Sequence, residues 1–233
     1  MTELSASIQQ THATLYHYPM ACSTAVRIAA AEAKIDLRIE LVDVYSKDLH
    51  TGGSFFAINP LGQVPTLVLP SGEMVTENVA VMYWIENQRG VQVSVQTVRW
   101  LAFCAAELHK AIIWPLARGE PDERTRKTLL DRFTIVSAHL NAHLDDRRFI
   151  ATDRWSVADA YLLWCVRLFT MLALEMPARS AVNSYVTGLR EWEHVSQIFA
   201  EDVAHLTDLR AAVQPSQMLS NPVYSETAPL LKL

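Results

Sequence analysis

The chain has 233 residues, half of them hydrophobic, a net charge of −5 and three widely spaced cysteines. That length allows one large or two modest domains and buries a core without covalent staples. Scattered lysines and arginines give no nucleic-acid footprint, and three distant cysteines (Cys22, Cys104, Cys165) give no disulfide framework and fit a reducing compartment. No apolar run reaches the ~18–20 residues that span a bilayer. The polar start, Met1 to Thr11, is not a signal peptide. A cytoplasmic protein, with neither membrane nor nucleic acid as partner, is expected.

Residues 1–12 read as a leader. Thr14 to Tyr18 forms a short β run, and Ser23 to Lys34 a helix with apolar positions at Val26, Ala29, Ala30 and Ala33. Arg38 to Val44 makes a second strand, so the β-α-β order predicts parallel strands. Ser46 to Asn59 is irregular or partly helical and is broken by Gly52-Gly53. Thr66 to Leu69 and Met74 to Thr76, joined through Pro70-Ser71-Gly72-Glu73, read as a hairpin. Asn78 to Gln88 is helical, with Gly90 as its stop.

The character changes after Gly90. From Thr97 to His205 the pattern is mostly helical, including a helix through Trp100, Phe103, Cys104, Glu107 and Leu108 and another over Leu129 to Leu144. Ser156-Val157-Ala158-Asp159 has the form of a capping box, and the apolar run behind it predicts a buried central helix. The prolines after residue 210 suggest an extended tail. These boundaries give units at 13–90 and 97–210 and a tail at 211–233.

Cys22 stands where the first strand turns, through Pro19, into the first helix. Helix-terminal N–H groups stabilise a thiolate there, so its pKa is expected below that of a free cysteine. An inert, buried cysteine is the alternative. Asn59-Pro60-Leu61-Gly62-Gln63-Val64-Pro65 enters the third strand. A cis Val64–Pro65 bond would leave the Val64 N–H and C=O free to pair with an extended peptide-like ligand; an ordinary trans proline is the alternative. Thr76-Glu77-Asn78 precedes a helix, with Asn78 as its N-cap and free N–H groups suited to a carboxylate. Glu77 beside it suits an ammonium, and simple capping is the alternative. Tyr16, Tyr18 and Ser23 are further candidates for a hydroxyl donor. His139 and His143, at i and i+4, lack the intervening glutamate of a metalloprotease helix, and no metal is expected.

In this order and spacing, Pro19-x-x-Cys22-Ser23, the Asn59 to Pro65 motif, Thr76-Glu77-Asn78, Glu107-Leu108-His109-Lys110 and the Ser156 to Asp159 box resemble the glutathione transferases, most of all their bacterial beta class. The resemblance covers residues 13–205. It implies an α/β plus all-α fold: a thioredoxin-like βαβαββα domain followed by an all-helical domain. It implies that Cys22 is catalytic and faces the sulfur of glutathione, the co-substrate. Val64, before a cis Pro65, would pair with the cysteinyl backbone, Glu77 and Asn78 would hold the γ-glutamyl end, and Lys47 the glycyl carboxylate. His109 and Lys110 would lie at the domain interface, Lys110 adding positive charge. The helical domain would line a pocket for a small hydrophobic electrophile with residues such as His109, Ile113, Trp114 and Trp164. A homodimer is implied.

Two functions stay open on these grounds. One is a glutathione-dependent transferase that conjugates or reduces small electrophiles, with thiol-disulfide exchange or peroxidase capacity through Cys22. The other is a binding or regulatory protein that keeps the fold without turnover.

Overall fold

The computed structural model describes residues 12–119, 121–177 and 180–212. β1 (Ala13–His17), α1 (Ser23–Glu32) and β2 (Leu37–Leu41) form the βαβ unit, with β1 and β2 parallel. The helix expected between the second and third strands is a single 3₁₀ turn, Phe55–Ala57, in an otherwise irregular segment. β3 (Thr66–Val68) pairs antiparallel with β1 and with β4 (Met74–Thr76), giving the sheet order β2-β1-β3-β4. α2 (Asn78–Gln88) completes the first half. The alanine-rich composition of α1 favours helix and lets it lie close on the sheet, burying Ala25, Val26, Ile28, Ala29 and Ala30.

The second half is helical. α3 (Val95–Phe103), capped by the Ser94 hydroxyl, passes through a π-helical stretch, Cys104–Ile113, into α4 (Trp114–Arg118). α5 (Glu123–Leu144) starts six residues before the predicted helix, because Asp122 caps it by accepting from the Thr125 N–H. α6 (Val157–Met171) is the predicted central helix, buried along most of its length. Its first turn is fixed by the Asp159 carboxylate, which accepts from the Ser156 N–H, the Ile150 N–H and the Tyr185 hydroxyl. α7 (Ala181–Arg190) and α8 (Glu193–Ala212) follow. α8 occupies the start of the predicted tail; residues 213–233, like 1–11 of the leader, lie outside the described residues.

The two halves share one continuous apolar core, in which α1 packs against both α6 and α8. A charge is buried in that seam. The Asp202 carboxylate of α8 is fully enclosed and accepts from His17 Nε2 (3.0 Å), the Met20 N–H (2.8 Å), Thr24 Oγ1 (2.5 Å) and the Arg27 guanidinium. A buried carboxylate is tolerable when its lone pairs are all taken, and deleting one partner leaves the others uncompensated. Asp202→Ala is therefore expected to lower stability by about 3–5 kcal/mol, read from the midpoint of equilibrium urea unfolding.

Candidate functional site

The turn carrying Cys22 is clamped from the helical half. Met20 holds a positive φ of 61°, a conformation costly for a side-chain-bearing residue. Its N–H goes to Asp202, and its C=O accepts from Trp164 Nε1 at 3.0 Å. Cys22 then occupies the N-cap position of α1. Its Sγ donates to the Val64 carbonyl at 3.3 Å.

Val64 reaches that position through the cis Val64–Pro65 bond. The loop before it is folded around Asn59. The Asn59 amide donates to the Gln63 carbonyl (3.0 Å) and Thr66 Oγ1 (2.9 Å), and its Oδ1 accepts from the Leu61 N–H. Gly62 has φ +57°, and a Cβ there would lie 2.8 Å from the Phe56 ring, so this position requires glycine. The Gly62 carbonyl accepts from Lys47 Nζ at 2.7 Å.

At the third corner the structure corrects an expectation. Glu77, not Asn78, is the N-cap of α2, and it holds φ +68° without a side-chain cap. Asn78 is the first helical residue, 5% exposed, and its amide donates to the Cys22 carbonyl at 3.1 Å. Its Oδ1 is buried with no partner among the described residues. An orphaned acceptor of this kind asks for a donor from outside the chain. The ammonium of a γ-glutamyl group is such a donor, so the residues present fit glutathione.

Two chambers meet here. One, of about 280 Å³, includes Pro65, Glu77, Asn78 and Tyr161 in its walls. The other, of about 150 Å³, includes Lys47, Trp114 and Trp164. Cys22, Val64, His109 and Lys110 line both. All eight sequence-derived site residues thus converge on one cleft, with Lys47 and Glu77 in different chambers and Cys22 on the wall between them. Ile113, also expected near the electrophile, lines the smaller chamber.

The electrostatics reverse another expectation. The Cys22 thiol is pushed up to about 12 rather than down. Burial is the main cause; Lys110 and the N–H groups of Cys22 and Ser23 pull the other way, and Glu77 adds to the rise. The helix-terminus argument omitted desolvation, which disfavours the charged thiolate. His109 is shifted oppositely, down to about 3, by burial first and Lys110 second. It is neutral at pH 7, with Nδ1 2.9 Å from the Tyr161 hydroxyl. Burial raises the pKa of that hydroxyl well above its ordinary value.

The other candidates find different work. Ser23 Oγ is held by His17 Nδ1 at 2.8 Å and is buried, so it is no free hydroxyl donor. Tyr16 stacks on Phe55, while Tyr18 lines the smaller chamber, edge-on to Tyr45. His143 pairs with the Ile150 carbonyl and His139 stacks on Trp100. No group able to hold a metal occurs among the described residues. Sequence reasoning missed His17, Asp202 and Tyr161. Only the polar interruption of apolar runs by His17 and Tyr161 could have pointed to two of them.

Comparison with known proteins agrees with this geometry. Residues 19–88 match the family model of the glutathione S-transferase N-terminal domain. Glutathione S-transferase GstA of Escherichia coli O157:H7 is 30% identical over 197 residues, covering 81% of this chain and 98% of that protein. A sphingomonad glutathione S-transferase, solved with glutathione bound, is 28% identical with a TM-score of 0.76, covering 81% of this chain and 98% of the other. The bacterial beta class enzyme of Sphingomonas chungbukensis gives 26% and 0.75 over the same shares. The chain belongs to the glutathione S-transferase family. Within it the resemblance is to the bacterial beta class, and glutathione is the family's co-substrate.

The His109 shift has a consequence for stability. Its folded pKa lies below its unfolded value of ~6.5, so the unfolded chain takes up the extra proton between about pH 3 and ~6.5. Stability rises with pH through that window and is lost on acidification. From pH 7 to pH 5 the loss through His109 is about 2 kcal/mol, and His17, lowered by burial, adds in the same sense. Urea unfolding at the two pH values measures it, and His109→Phe is expected to lose the His109 share of the dependence.

Proposed function

We propose that this protein is a glutathione-dependent transferase whose bound tripeptide runs along the wall shared by the two chambers. The observation that carries this reading is the position of Cys22 on that wall, between a chamber with an orphaned acceptor and one with aromatic sides and cations. Glu77 and Asn78 would take the γ-glutamyl end, the Val64 backbone the cysteinyl unit, and Lys47 the glycyl carboxylate. The second substrate, a small hydrophobic electrophile, would enter beside Trp114 and Trp164. The division into units at 13–90 and 97–210 matches this separation of duties.

The raised thiol pKa favours one role for Cys22. A protonated thiol is a poor nucleophile and a competent hydrogen-bond donor. It donates to the Val64 carbonyl here, and turned toward a bound sulfur it would donate to glutathione's thiolate. His109, neutral at pH 7, is a second uncharged group on the shared wall, and Lys110 supplies positive charge. Thiol-disulfide exchange and peroxide reduction through Cys22 are a slower accompaniment that requires the thiol to ionise. A homodimer belongs to this reading, supported by exposed Met74 on β4 and Tyr83 on α2. So does a cytoplasmic setting, supported by three free thiols; no helix among the described residues is long and apolar enough to cross a membrane.

The test is retention on immobilised glutathione, then chlorodinitrobenzene conjugation and disulfide reduction. Cys22→Ala should lower conjugation roughly ten- to a hundredfold, the value of a hydrogen bond to a charged group, while Cys22→Ser recovers it and neither variant exchanges disulfides. A serine variant as poor as alanine would sink the donor role. Retention with neither activity would favour a fold kept for binding alone, and no retention would end the transferase reading.

A further inference from the structure

The smaller chamber has a charge pattern that glutathione does not use up. Lys47, Lys110 and Arg118 lie in its wall, and among the described residues that line it there is no carboxylate, although the chain as a whole carries −5. Lys47 belongs to the first half and is tied to the loop that enters the cis peptide, where the tripeptide ends. Lys110 lies on the wall both chambers share. Arg118 remains, at the end of α4 on the helical side.

Arg118 is exposed at the rim and holds no ion pair among the described residues. Its guanidinium lies 4.0 Å from the Trp114 ring centroid, and Lys110 Nζ lies 4.4 Å from the same ring. Stacking on an aromatic face holds the planar fork in one orientation, so less freedom is lost when it grips a planar oxyanion. Its field crosses the cleft, lowering the pKa of Lys47 and opposing the rise at Tyr45. Asp43 acts on the same two groups in the opposite sense.

Size and shape narrow the ligand further. An apolar cavity of about 150 Å³ accepts a benzene-sized ring. The lining is aromatic: Trp114, whose ring carries both cations, the buried Trp164, and the edge-on pair of Tyr18 and Tyr45. We propose that the electrophile of this protein is a single-ring aromatic compound bearing a carboxylate, with Arg118 as the residue that recognises the carboxylate. The inference rests on the reading that the adjoining chamber binds glutathione. In the step it serves, the glutathione sulfur forms a bond to the ring carbon that carries a halide. The carbon–halogen bond breaks, halide leaves with the bonding pair, and the thiol proton passes to solvent.

The test compares chlorodinitrobenzoate with uncharged chlorodinitrobenzene as acceptors, and measures dinitrobenzoate binding by calorimetry on the full chain saturated with glutathione. The wild type should prefer the carboxylated acceptor after correction for intrinsic reactivity. Arg118→Gln should reduce that preference, and dinitrobenzoate affinity, roughly ten- to a hundredfold, with Arg118→Lys in between. Three results would overturn the proposal: no binding of dinitrobenzoate to the glutathione complex, an equal loss for both acceptors, or a parallel loss of glutathione affinity in Arg118→Gln. The last would assign Arg118 to the glycyl carboxylate. Failure of the wild type to bind glutathione at all is a separate outcome, and it removes the underlying reading as well.

Discussion

The enclosed Asp202 carboxylate is the constraint on which the site geometry depends. It is supplied by the last described helix, yet three of its partners, His17, Met20 and Thr24, flank the turn that carries Cys22. An isolated βαβ unit would leave the Met20 N–H and the His17 ring without these partners, and Met20 at positive φ would rest on the turn's own bond from the Ala21 N–H to the Tyr18 carbonyl. Trp164 closes the same turn from the other side through the Met20 carbonyl. The helical half is therefore part of how the first half positions its cysteine. The seam behaves as one cooperative element, because a carboxylate so enclosed is tolerable only while all its donors stay in place.

Above that clamp the site keeps its groups neutral. Burial raises the Cys22 thiol and the Tyr161 phenol and lowers the His109 imidazole, so each holds its uncharged form at pH 7. Uncharged groups beside the place where the proposed reading puts a negative charge differ physically from one preformed thiolate. A neutral donor stabilises a charge developing on a ligand without competing for the nucleophilic role, and it repels no second anion. On the proposed reading, Lys47, Lys110 and Arg118 then neutralise what the ligands bring. This division explains how a half-buried cysteine beside a helix N-terminus remains a thiol.

Local features of the fold were legible in the sequence, and features set by distant packing were not. The βαβ unit, the hairpin, α2 and the box at Ser156 and Asp159 each rest on neighbours within a few residues, and the structure places them where periodicity and capping do. The gathering of Cys22, Lys47, Val64, Glu77, Asn78 and His109-Lys110 was legible through the resemblance. Periodicity alone says nothing about how far apart such residues stand. The sign of the Cys22 shift was not legible, because the helix terminus is a local term and desolvation comes from packing by the other half. The separation of 185 positions from His17 to Asp202 hid that pair altogether. The cap of α2 went astray for a related reason: Asn78 is a good capping residue by type, but its amide is engaged by the Cys22 carbonyl, and Glu77 takes the cap with its backbone alone.

The two chambers also differ in what builds them. The larger is lined by Asn59, Gln63, Val64 and Pro65 and the start of α2, together with Ala105, His109, Lys110 and Tyr161 of the helical half, and its loop is locked by the Asn59 amide. The smaller is walled on its helical side by Trp114, Leu168 and Arg118, whose backbones are α-helix, and by Ile113 at the end of the π-helical stretch. Side chains on a regular helix exchange with little disturbance to the backbone, whereas a loop locked by an asparagine and a glycine does not. The geometry thus separates a rigid half, fitted to one invariant tripeptide on the proposed reading, from a half whose selectivity is set by a few helical side chains. On the proposed reading, Arg118 of α4 is the helical side chain that meets the electrophile's carboxylate, beside Lys110 on the shared wall.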